Sequence, residues 1–231
     1  MDWQGFAEQI GDMAHDLLEQ PSVDATLGRI TESAAELVAG CDAAGILVLS
    51  AKSVSLAPTE PWVAELDQLQ RKLGQGPCFD AAHPSTGERV LRMADFTEAE
   101  PRWADFVAEA RKWGVGSMMG FLLYTEDEDF GALNFYYSRR PGAFTEESER
   151  AGVILASHAA VALSAARTHA QMEQALATRH QIGQAMGILM ARHNIPENQA
   201  FNTLRRYSQD NNVKLREVAL LVCEQGGLPQ L

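Results

Sequence analysis

"TEESERAGVILASHAAVALSAARTHAQMEQALATRHQIGQAMGILMARHN", residues 145–194, contains no proline and only three glycines. Because proline and glycine are the residues that disfavour a helix interior most strongly, this stretch predicts one continuous helix. Thr145 with Ser148 favours its start, and Asn194 with Ile195 and Pro196 favours its end. At a rise of ~1.5 Å per residue the helix would reach about 70 Å, too long for one small domain to pack. We therefore expect two modules, a partner chain, or both to share it.

Two shorter helices are predicted after Pro196, ending at Gly226 and Gly227. Their apolar residues recur at helical spacing and mark one face of each helix: Ala200, Leu204 and Tyr207 in the first, and Leu215, Val218, Ala219 and Val222 in the second. Together with the end of the long helix they predict a small three-helix bundle.

Gly183 and Gly187 stand four residues apart in the long helix, a spacing at which membrane helices pair. The apolar run that begins at Ile182 reaches only Ala191, roughly half of the ~20 residues that a bilayer-spanning helix needs. We therefore expect the two glycines to be close-contact points between the long helix and the two short ones. Core and dimer packing is expected from the neighbouring apolar residues Ile182, Ile188, Leu189 and Met190.

The region before the long helix mixes helices and strands. A helix is predicted within residues 22–40, with Ser22 as its N-cap and Gly40 as its end, and a buried strand over residues 42–50. Helices follow in "VAELDQLQRKLG" and "EPRWADFVAEARKWG", and the glycines of "LGQGPC" favour a turn between elements. Two strands flank the acidic segment "TEDED", the second over residues 130–138, which predicts an antiparallel hairpin. This order is typical of an α+β domain.

Composition and charge divide the chain in two. Its 231 residues, 46% of them hydrophobic, are enough for one or two globular domains. Residues 1–166 carry 26 acids against 12 bases, a net charge of −14, whereas residues 167–231 carry 5 acids against 7 bases, a net charge of +2. We therefore expect a boundary between residues 166 and 167, with the helix of residues 145–194 shared.

The cysteines and the amino terminus exclude some classes of protein. Cys41, Cys78 and Cys223 are widely spaced, without a C-x-x-C pair or a histidine at ligand spacing, so we predict neither a disulfide framework nor a metal site. The first 17 residues contain acids where a secretory signal has bases, and no sustained apolar region. A cytoplasmic location is therefore expected.

The carboxy-terminal run "QALATRHQIGQAMGILMARHNIPENQAFNTLRRYSQDNNVKLREVA" resembles the ANTAR family of bacterial transcription antitermination regulators, whose members bind structured RNA. The resemblance extends over about 55 residues and three helices. Met186 departs from it, since family members commonly have Lys between the Ala and the Gly. The matching residues are Ala175, Leu176, Arg179, Ile182, Gln184, Ala185, Gly187, Ile188, Leu189, Met190, Ala200, Phe201, Leu204, Ser208, Asn212, Lys214, Leu215, Val218 and Ala219.

The segments "GQGPCFDAA", "DFTEAEPRWADFVAEARKWGVGSMMGFLL" and "GALNFYYSRRPGAFTEES" resemble a GAF sensor domain. The resemblance implies an antiparallel sheet between helices, joined by the long helix to the three-helix bundle. GAF domains bind varied small ligands or serve only in dimerisation, so the cofactor is unknown. Candidate residues of a ligand pocket are Cys78, Phe79, Trp103 and Trp113, each of which core packing also explains.

The basic residues of the bundle give a physical reason for RNA binding. Six of the seven bases after residue 166 lie in its helices, and arginine can bind phosphate bidentately or stack on an unpaired base. Gln184, Ser208 and Asn212 can hydrogen-bond to bases or backbone, and Tyr207 can stack. The predicted RNA-binding residues are Arg179, Gln184, Arg205, Arg206, Tyr207, Ser208, Asn212, Lys214 and Arg216.

The two resemblances imply a regulator in which the GAF domain senses a signal and the long helix carries it to the ANTAR domain. That domain is expected, as a homodimer, to bind paired stem-loops of a nascent leader transcript and so prevent a terminator hairpin. Two alternatives remain open, a DNA-binding regulator and a dimeric sensor or scaffold without nucleic-acid activity. No catalytic motif is present, so we do not expect an enzyme.

Overall fold

A computed structural model describes residues 3–48, 55–82, 87–98, 100–138 and 145–228. The described chain divides into two compact units, Met1–Arg167 and Thr168–Leu231. The helices of the first unit are α1 (Trp3–Glu19), α2 (Val23–Leu37), α3 (Pro61–Leu73), α4 (Pro77–Ala81), α5 (Ala104–Ala110) and the first part of α6 (Glu146–His193). Short 3₁₀ turns, Pro101–Trp103 and Arg111–Trp113, flank α5.

Five strands form one antiparallel sheet within the described residues. They are β1 (Ala43–Leu47), β2 (Ser55–Leu56), β3 (Val90–Met93), β4 (Val115–Tyr124) and β5 (Asp129–Ser138), in the spatial order β2-β1-β5-β4-β3. The predicted hairpin is β4–β5, whose turn is closed by a hydrogen bond from the Thr125 amide to the Glu128 carbonyl at 2.9 Å. The strand predicted over residues 42–50 is β1, although its last two predicted residues lie outside the described part of the chain.

The sheet lies between two hydrophobic cores. Its alternating side chains explain this, because along β5 Leu133, Phe135 and Tyr137 face one core, whereas Ala132 and Tyr136 face the other. Helices α1, α2 and α6 cover the first face, and α3, α4 and α5 cover the second. The α+β, GAF-like arrangement predicted from the sequence is thereby confirmed.

Glycines allow two helices to approach the sheet directly. A Cβ on Gly152 of α6 would lie 2.4 Å from the ring of Phe121 on β4. On the opposite face, a Cβ on Gly120 of β4 would lie 3.1 Å from the Cα of Cys78 in α4. Since real Cβ atoms essentially never come within 3.0 Å of a neighbour, a larger residue at 152 would force the buried Phe121 ring or α6 to shift.

The second unit is the predicted three-helix bundle. It contains the end of α6, α7 (Glu197–Asn211) and α8 (Leu215–Gln225). The fully buried core residues come from all three helices and recur at helical spacing, as the sequence indicated: Ala185, Leu189, Ala200, Leu204, Val218, Ala219 and Val222. Tyr207 and Leu215, also expected in this core, are only partly buried against it.

The structure corrects three sequence-based expectations. Helix α1 was not predicted, although Phe6, Ile10, Met13 and Leu17 are buried at spacings of four, three and four residues. Helix α2 begins at the Ser22 cap as expected, but it ends at Leu37 rather than at Gly40. The third correction concerns Gly183 and Gly187, as described below.

By length and composition alone, α6 contains a window apolar enough to cross a membrane, and 44% of that window is buried inside the protein. Its buried residues include Leu155, Ala159 and Leu163, which pack in the core on one face of the sheet. Packing of this kind explains an apolar helix in a globular domain, so the window is weak evidence for a membrane segment.

Candidate nucleic-acid interface and sensor interior

Most of the residues predicted to bind RNA are exposed on the helical unit. Their side chains are therefore accessible to a polyanion, in contrast to the apolar core beneath them. Tyr207 and Ser208 are only partly exposed. The exposed ones are Arg179 and Gln184 on α6, Arg205 and Arg206 on α7, and Asn212, Lys214 and Arg216 at the α7–α8 connection.

The two adjacent arginines of α7 project into solvent. Arg206 pairs with Asp210 at 3.9 Å, but the two side chains are 85% and 68% exposed. An exposed pair of this geometry contributes little to stability, because water screens it and both side chains lose entropy. The guanidinium of Arg206 therefore remains accessible to a phosphate group.

The α7–α8 connection is held in shape by two of the predicted RNA-binding residues. Ser208 donates a hydrogen bond from Oγ to the Val213 carbonyl oxygen at 2.6 Å. Asn212 ends α7 in the left-handed conformation, with φ of 52°, which asparagine tolerates better than most residues. Both residues thus have a local structural role, which places Lys214 and Arg216 at the start of α8.

Gly183 and Gly187 are not contact points within the chain, contrary to the sequence-based expectation. Both are exposed, and a Cβ built on either would meet nothing within 4 Å. The reason is that Ala185 and Leu189 provide the buried face of α6, which turns the glycines outward. An open depression of about 540 Å³ lies at Gly183, bordered by Leu176, Arg179, His180, Gly183 and Gln184. Arg179 and Gln184, both predicted to bind RNA, therefore border the same depression.

Met186, where the ANTAR family commonly has Lys, is partly buried against the core of the bundle. Its side chain thus contributes to packing. The phosphate contact that a lysine could make at this position has no counterpart in methionine.

The interior of the first unit contains a polar cluster that sequence reasoning missed. Asp67 of α3 is fully buried, and its Oδ1 accepts hydrogen bonds from the Tyr136 hydroxyl and, at 2.8 Å, from Asn134 Nδ2. The fully buried side chain of Gln70 donates to the Tyr136 hydroxyl at 3.3 Å and accepts from the Cys78 amide at 3.0 Å. We call these five residues, Asp67, Gln70, Cys78, Asn134 and Tyr136, the polar cluster.

A signal for this cluster exists in the sequence. Val63, Leu66, Asp67 and Gln70 recur at i, i+3, i+4 and i+7, so the helical pattern already placed Asp67 and Gln70 on the buried face of α3. Asn134 likewise stands inside the apolar strand "GALNFYYS". Buried polar groups need hydrogen-bond partners, and those partners could be assigned only from the structure.

Burial shapes the acid–base chemistry of the cluster. Desolvation raises the pKa of the Tyr136 hydroxyl well above its usual value, and the nearby charge of Asp67 raises it further. The same two causes, in the same order, raise the pKa of the Cys78 thiol. Both groups therefore stay protonated near neutral pH, and the cluster acts as a set of neutral donors around a buried carboxyl group.

The four predicted pocket residues lie in different environments. Cys78 and Trp103 are buried and Phe79 is partly buried, whereas Trp113 is 48% exposed. Trp103 donates from Nε1 to Asp80 Oδ2 at 2.9 Å, which joins the start of α5 to α4. The structure thus brings Cys78, Phe79 and Trp103 into one core, whereas Trp113 lies at the surface. Among the described residues, no group of three or more His, Cys, Asp or Glu side chains could hold a metal ion.

These features define a class of protein: an acidic α+β domain with a polar interior, followed by a small helical unit that presents bases to solvent. Comparison with protein families identifies the two domains. A GAF domain model matches residues 20–164, and an ANTAR domain model matches residues 170–222. The chain belongs to the GAF family and carries an ANTAR domain after its GAF domain, as the sequence patterns predicted.

Solved structures agree with this fold at low sequence identity. The GAF domain of a phosphoenolpyruvate-protein phosphotransferase from Coxiella burnetii is 18% identical, with a TM-score of 0.55, over 74% of this chain and 99% of that one. A bacteriophytochrome from the photosynthetic bacterium R. palustris is 10% identical, with a TM-score of 0.55, over 80% of this chain. The present chain spans only 43% of that bacteriophytochrome.

A third similar structure is the free methionine-R-sulfoxide reductase from Neisseria meningitidis in complex with its substrate. It is 17% identical, with a TM-score of 0.53, over 71% of this chain and 91% of that one. No curated protein matches the chain. GAF and ANTAR domains are regulatory: the GAF domain is a sensor module, and the ANTAR domain is the RNA-binding module of antitermination regulators.

Proposed function

We propose that this protein regulates transcription by binding stem-loops in nascent leader transcripts, and that it does so as a regulator rather than as an enzyme. The observation that carries the proposal is the set of exposed bases on the ANTAR unit, in a chain whose other unit is strongly acidic. A protein with a net charge of −12 repels a polyanion, so RNA binding requires a local concentration of bases. Residues 167–231 provide it.

The proposed interface has two parts. On α6, Arg179 and Gln184 border the depression at Gly183, where the missing side chain leaves the helix surface open to an unpaired base. On α7 and at the α7–α8 connection, Arg205, Arg206 and the bases Lys214 and Arg216 provide phosphate contacts. RNA loops are recognised in this way, since their bases are unstacked and free to contact side chains.

A homodimer is proposed to bind paired stem-loops. Apolar side chains on the outer face of α6 support it: Ile154, Val161 and Met172 are 36%, 63% and 60% exposed. Large exposed apolar residues along one helix are typical of an interface with another chain. A parallel coiled coil of two α6 helices would place one RNA-binding unit beside each of two stem-loops.

The GAF domain is proposed to sense a small molecule in the cytoplasm. The polar cluster supports this proposal, because a few polar groups placed inside an apolar interior are what fixes the orientation of a bound small molecule. Sensing requires no catalysis. The two buried thiols of this domain, Cys41 and Cys78, remain protonated near neutral pH. The signal is expected to change either the RNA affinity or the dimer.

Filter binding of the full-length protein tests the proposal. Three labelled nucleic acids are compared at one salt concentration: an RNA with two adjacent stem-loops, the same RNA with one stem-loop deleted, and a DNA duplex of equal length. We expect the double stem-loop to bind at least about tenfold more tightly than either of the others, since linked sites gain from effective concentration. Equal binding of all three, or preference for duplex DNA, would contradict the proposal.

A further inference from the structure

Arg167 lies at the end of the first unit, where α6 continues toward the RNA-binding unit. Its Nη1 donates a hydrogen bond to Glu128 Oε1 at 2.9 Å, and its guanidinium carbon lies 4.9 Å from the centre of the Phe130 ring. Glu128 belongs to the turn of the β4–β5 hairpin, and Phe130 lies at the start of β5. We call this three-residue arrangement the clasp.

The clasp lies where α6 leaves the core of the GAF domain. Leu163 is fully buried in the core of the GAF domain, whereas all residues from 168 to 177 are exposed. Arg167 thus holds the helix just beyond its last fully buried side chain in the first unit. A helix segment without tertiary contacts is only marginally stable in water, so within one chain a side-chain anchor at this point affects whether the exposed segment stays ordered.

The clasp combines a partly exposed ion pair with an aromatic contact. The Arg167 side chain is only 28% exposed, although that of Glu128 is 55% exposed. Phe130 is 2% exposed and belongs to the core between the sheet and α6, so its ring is a fixed platform for the cation. A cation over an aromatic ring together with a hydrogen-bonded carboxylate restrains the guanidinium in two directions.

Strand β5 connects the clasp to the polar cluster. The strand begins at the clasp with Phe130, and four and six residues later Asn134 and Tyr136 donate hydrogen bonds to the buried Asp67. Extended backbone is stiff between such points, and β5 is paired with β1 on one side and β4 on the other. One strand thus contains both the residues that bond Asp67 and the ring that contacts Arg167.

We propose that the clasp is the release point of the connecting helix: its closure keeps residues 164–178 of α6 ordered, and its opening lowers RNA affinity. This inference rests on the proposed function for its RNA-binding half. The physical reason is entropic, because a disordered connecting segment must be ordered again when the attached unit binds RNA. Its effect on the helix itself needs no RNA and can be measured separately.

Hydrogen exchange of the full-length protein without RNA tests the first half. Arg167→Ala removes both contacts of the guanidinium, and Glu128→Gln removes the charge while it keeps the shape of the side chain. Arg150→Ala is the matched control, since Arg150 pairs with Glu146 on the same helix at 3.2 Å but contacts no other element through that pair. We expect amides of residues 164–178 to exchange about three- to tenfold faster in the first two variants and at the wild-type rate in the control.

RNA affinity tests the second half. Arg167→Ala is expected to weaken binding of the double stem-loop RNA about threefold or more, whereas Arg150→Ala leaves it unchanged. A charge exchange, with Arg167→Glu and Glu128→Arg combined, is expected to restore slow exchange and tight binding in part, since the ion pair is re-formed without the original stacking geometry.

Each contrary outcome has a distinct meaning. Unchanged exchange at residues 164–178 in both Arg167→Ala and Glu128→Gln would overturn the inference. Faster exchange with unchanged RNA affinity would overturn its regulatory half. If the wild-type protein bound no RNA, the proposed function and that regulatory half would both fail, whereas the exchange result would still decide whether the clasp orders the helix.

Discussion

Arg192 at the end of α6 donates a hydrogen bond from Nη1 to the carbonyl oxygen of Gly226, at 2.7 Å, and so joins α6 to the carboxyl end of α8. A cation at this position satisfies a terminal carbonyl and interacts favourably with the helix dipole. Gly227 keeps room for it, because a Cβ there would lie 2.8 Å from the same nitrogen. Arg192 therefore has a structural role in the bundle.

Arg192→Ala is accordingly expected to lower the free energy of unfolding of the helical unit by about 1 kcal/mol, because a charge-assisted hydrogen bond is lost. Chemical denaturation of the full-length protein, followed by hydrogen exchange of α8 amides, measures the change. Arg216→Ala, which removes an exposed arginine at the start of the same helix, is the control and should not speed α8 exchange. If both variants changed the exchange of α8 amides equally, the hydrogen bond from Arg192 would not be what stabilises α8.

Replacing Arg205 and Arg206 together by alanine is expected to weaken RNA binding while helix content is retained. Both side chains are exposed on α7, so few intramolecular contacts are lost. Two phosphate contacts fewer should reduce the slope of log affinity against log salt by roughly 1.5 to 2, and the slope from filter binding at several salt concentrations is the measurement. Arg111→Ala with Lys112→Ala, an exposed basic pair in the GAF domain, is the matched control. An unchanged slope in the α7 variant would exclude these arginines from the interface.

Gly183→Ala is expected to stabilise the bundle and to weaken RNA binding. An alanine in a helix interior is more favourable than glycine by about 0.5–1 kcal/mol, and the added methyl group meets nothing within 4 Å. The same methyl group would enter the depression between Arg179 and Gln184. Thermal unfolding and filter binding measure the two effects. Gly28→Ala in α2 is the control: its methyl group also has no neighbour within 4 Å, so it should stabilise the protein without any effect on RNA binding. Tighter or unchanged RNA binding by Gly183→Ala would argue against an RNA interface at Gly183.

The stability of the protein is expected to decrease above about pH 9, in part because of Cys41. Burial raises the pKa of this thiol from 9.0 to about 12. Between these values the unfolded chain loses the thiol proton while the folded chain keeps it, so the unfolded state binds fewer protons and stability falls as pH rises. The contribution is fully present below pH 9 and is lost as pH approaches 12.

Urea denaturation at pH 8 and at pH 10 measures this loss. The slope attributable to one thiol is at most about 1.4 kcal/mol per pH unit. Cys41→Ala should therefore show a smaller decrease between the two pH values than the wild type. Cys223→Ala, which removes a half-buried thiol in the other unit, serves as the comparison. Identical decreases in Cys41→Ala and wild type would contradict the assignment.

Local patterns predicted much of the fold because they were unambiguous. The β4–β5 hairpin is recognisable from two apolar runs around an acidic turn, and the glycine that ends the segment "EPRWADFVAEARKWG", Gly114, has a φ of 79° and ends the 3₁₀ turn before β4. Helix α1 also has a local signal, the spacing of four, three and four residues between its buried apolar side chains, although no helix is predicted there from the sequence. The polar cluster could not be assembled, because Asp67 and Tyr136 are 69 residues apart.

The sequence by itself determined the order of the two domains, the long helix and the apolar faces of the two short helices after it, since periodicity, capping residues and charge distribution are local properties. Only the tertiary structure decided what the outward-facing residues do. Gly183 has the spacing of a packing glycine, yet Ala185 and Leu189 take the core side of α6 and turn it toward solvent. Arg192 and Arg167 are both arginines of one helix, but the first contacts a carbonyl of α8 and the second a hairpin turn. Such partners depend on contacts between residues distant in sequence, which no local pattern encodes.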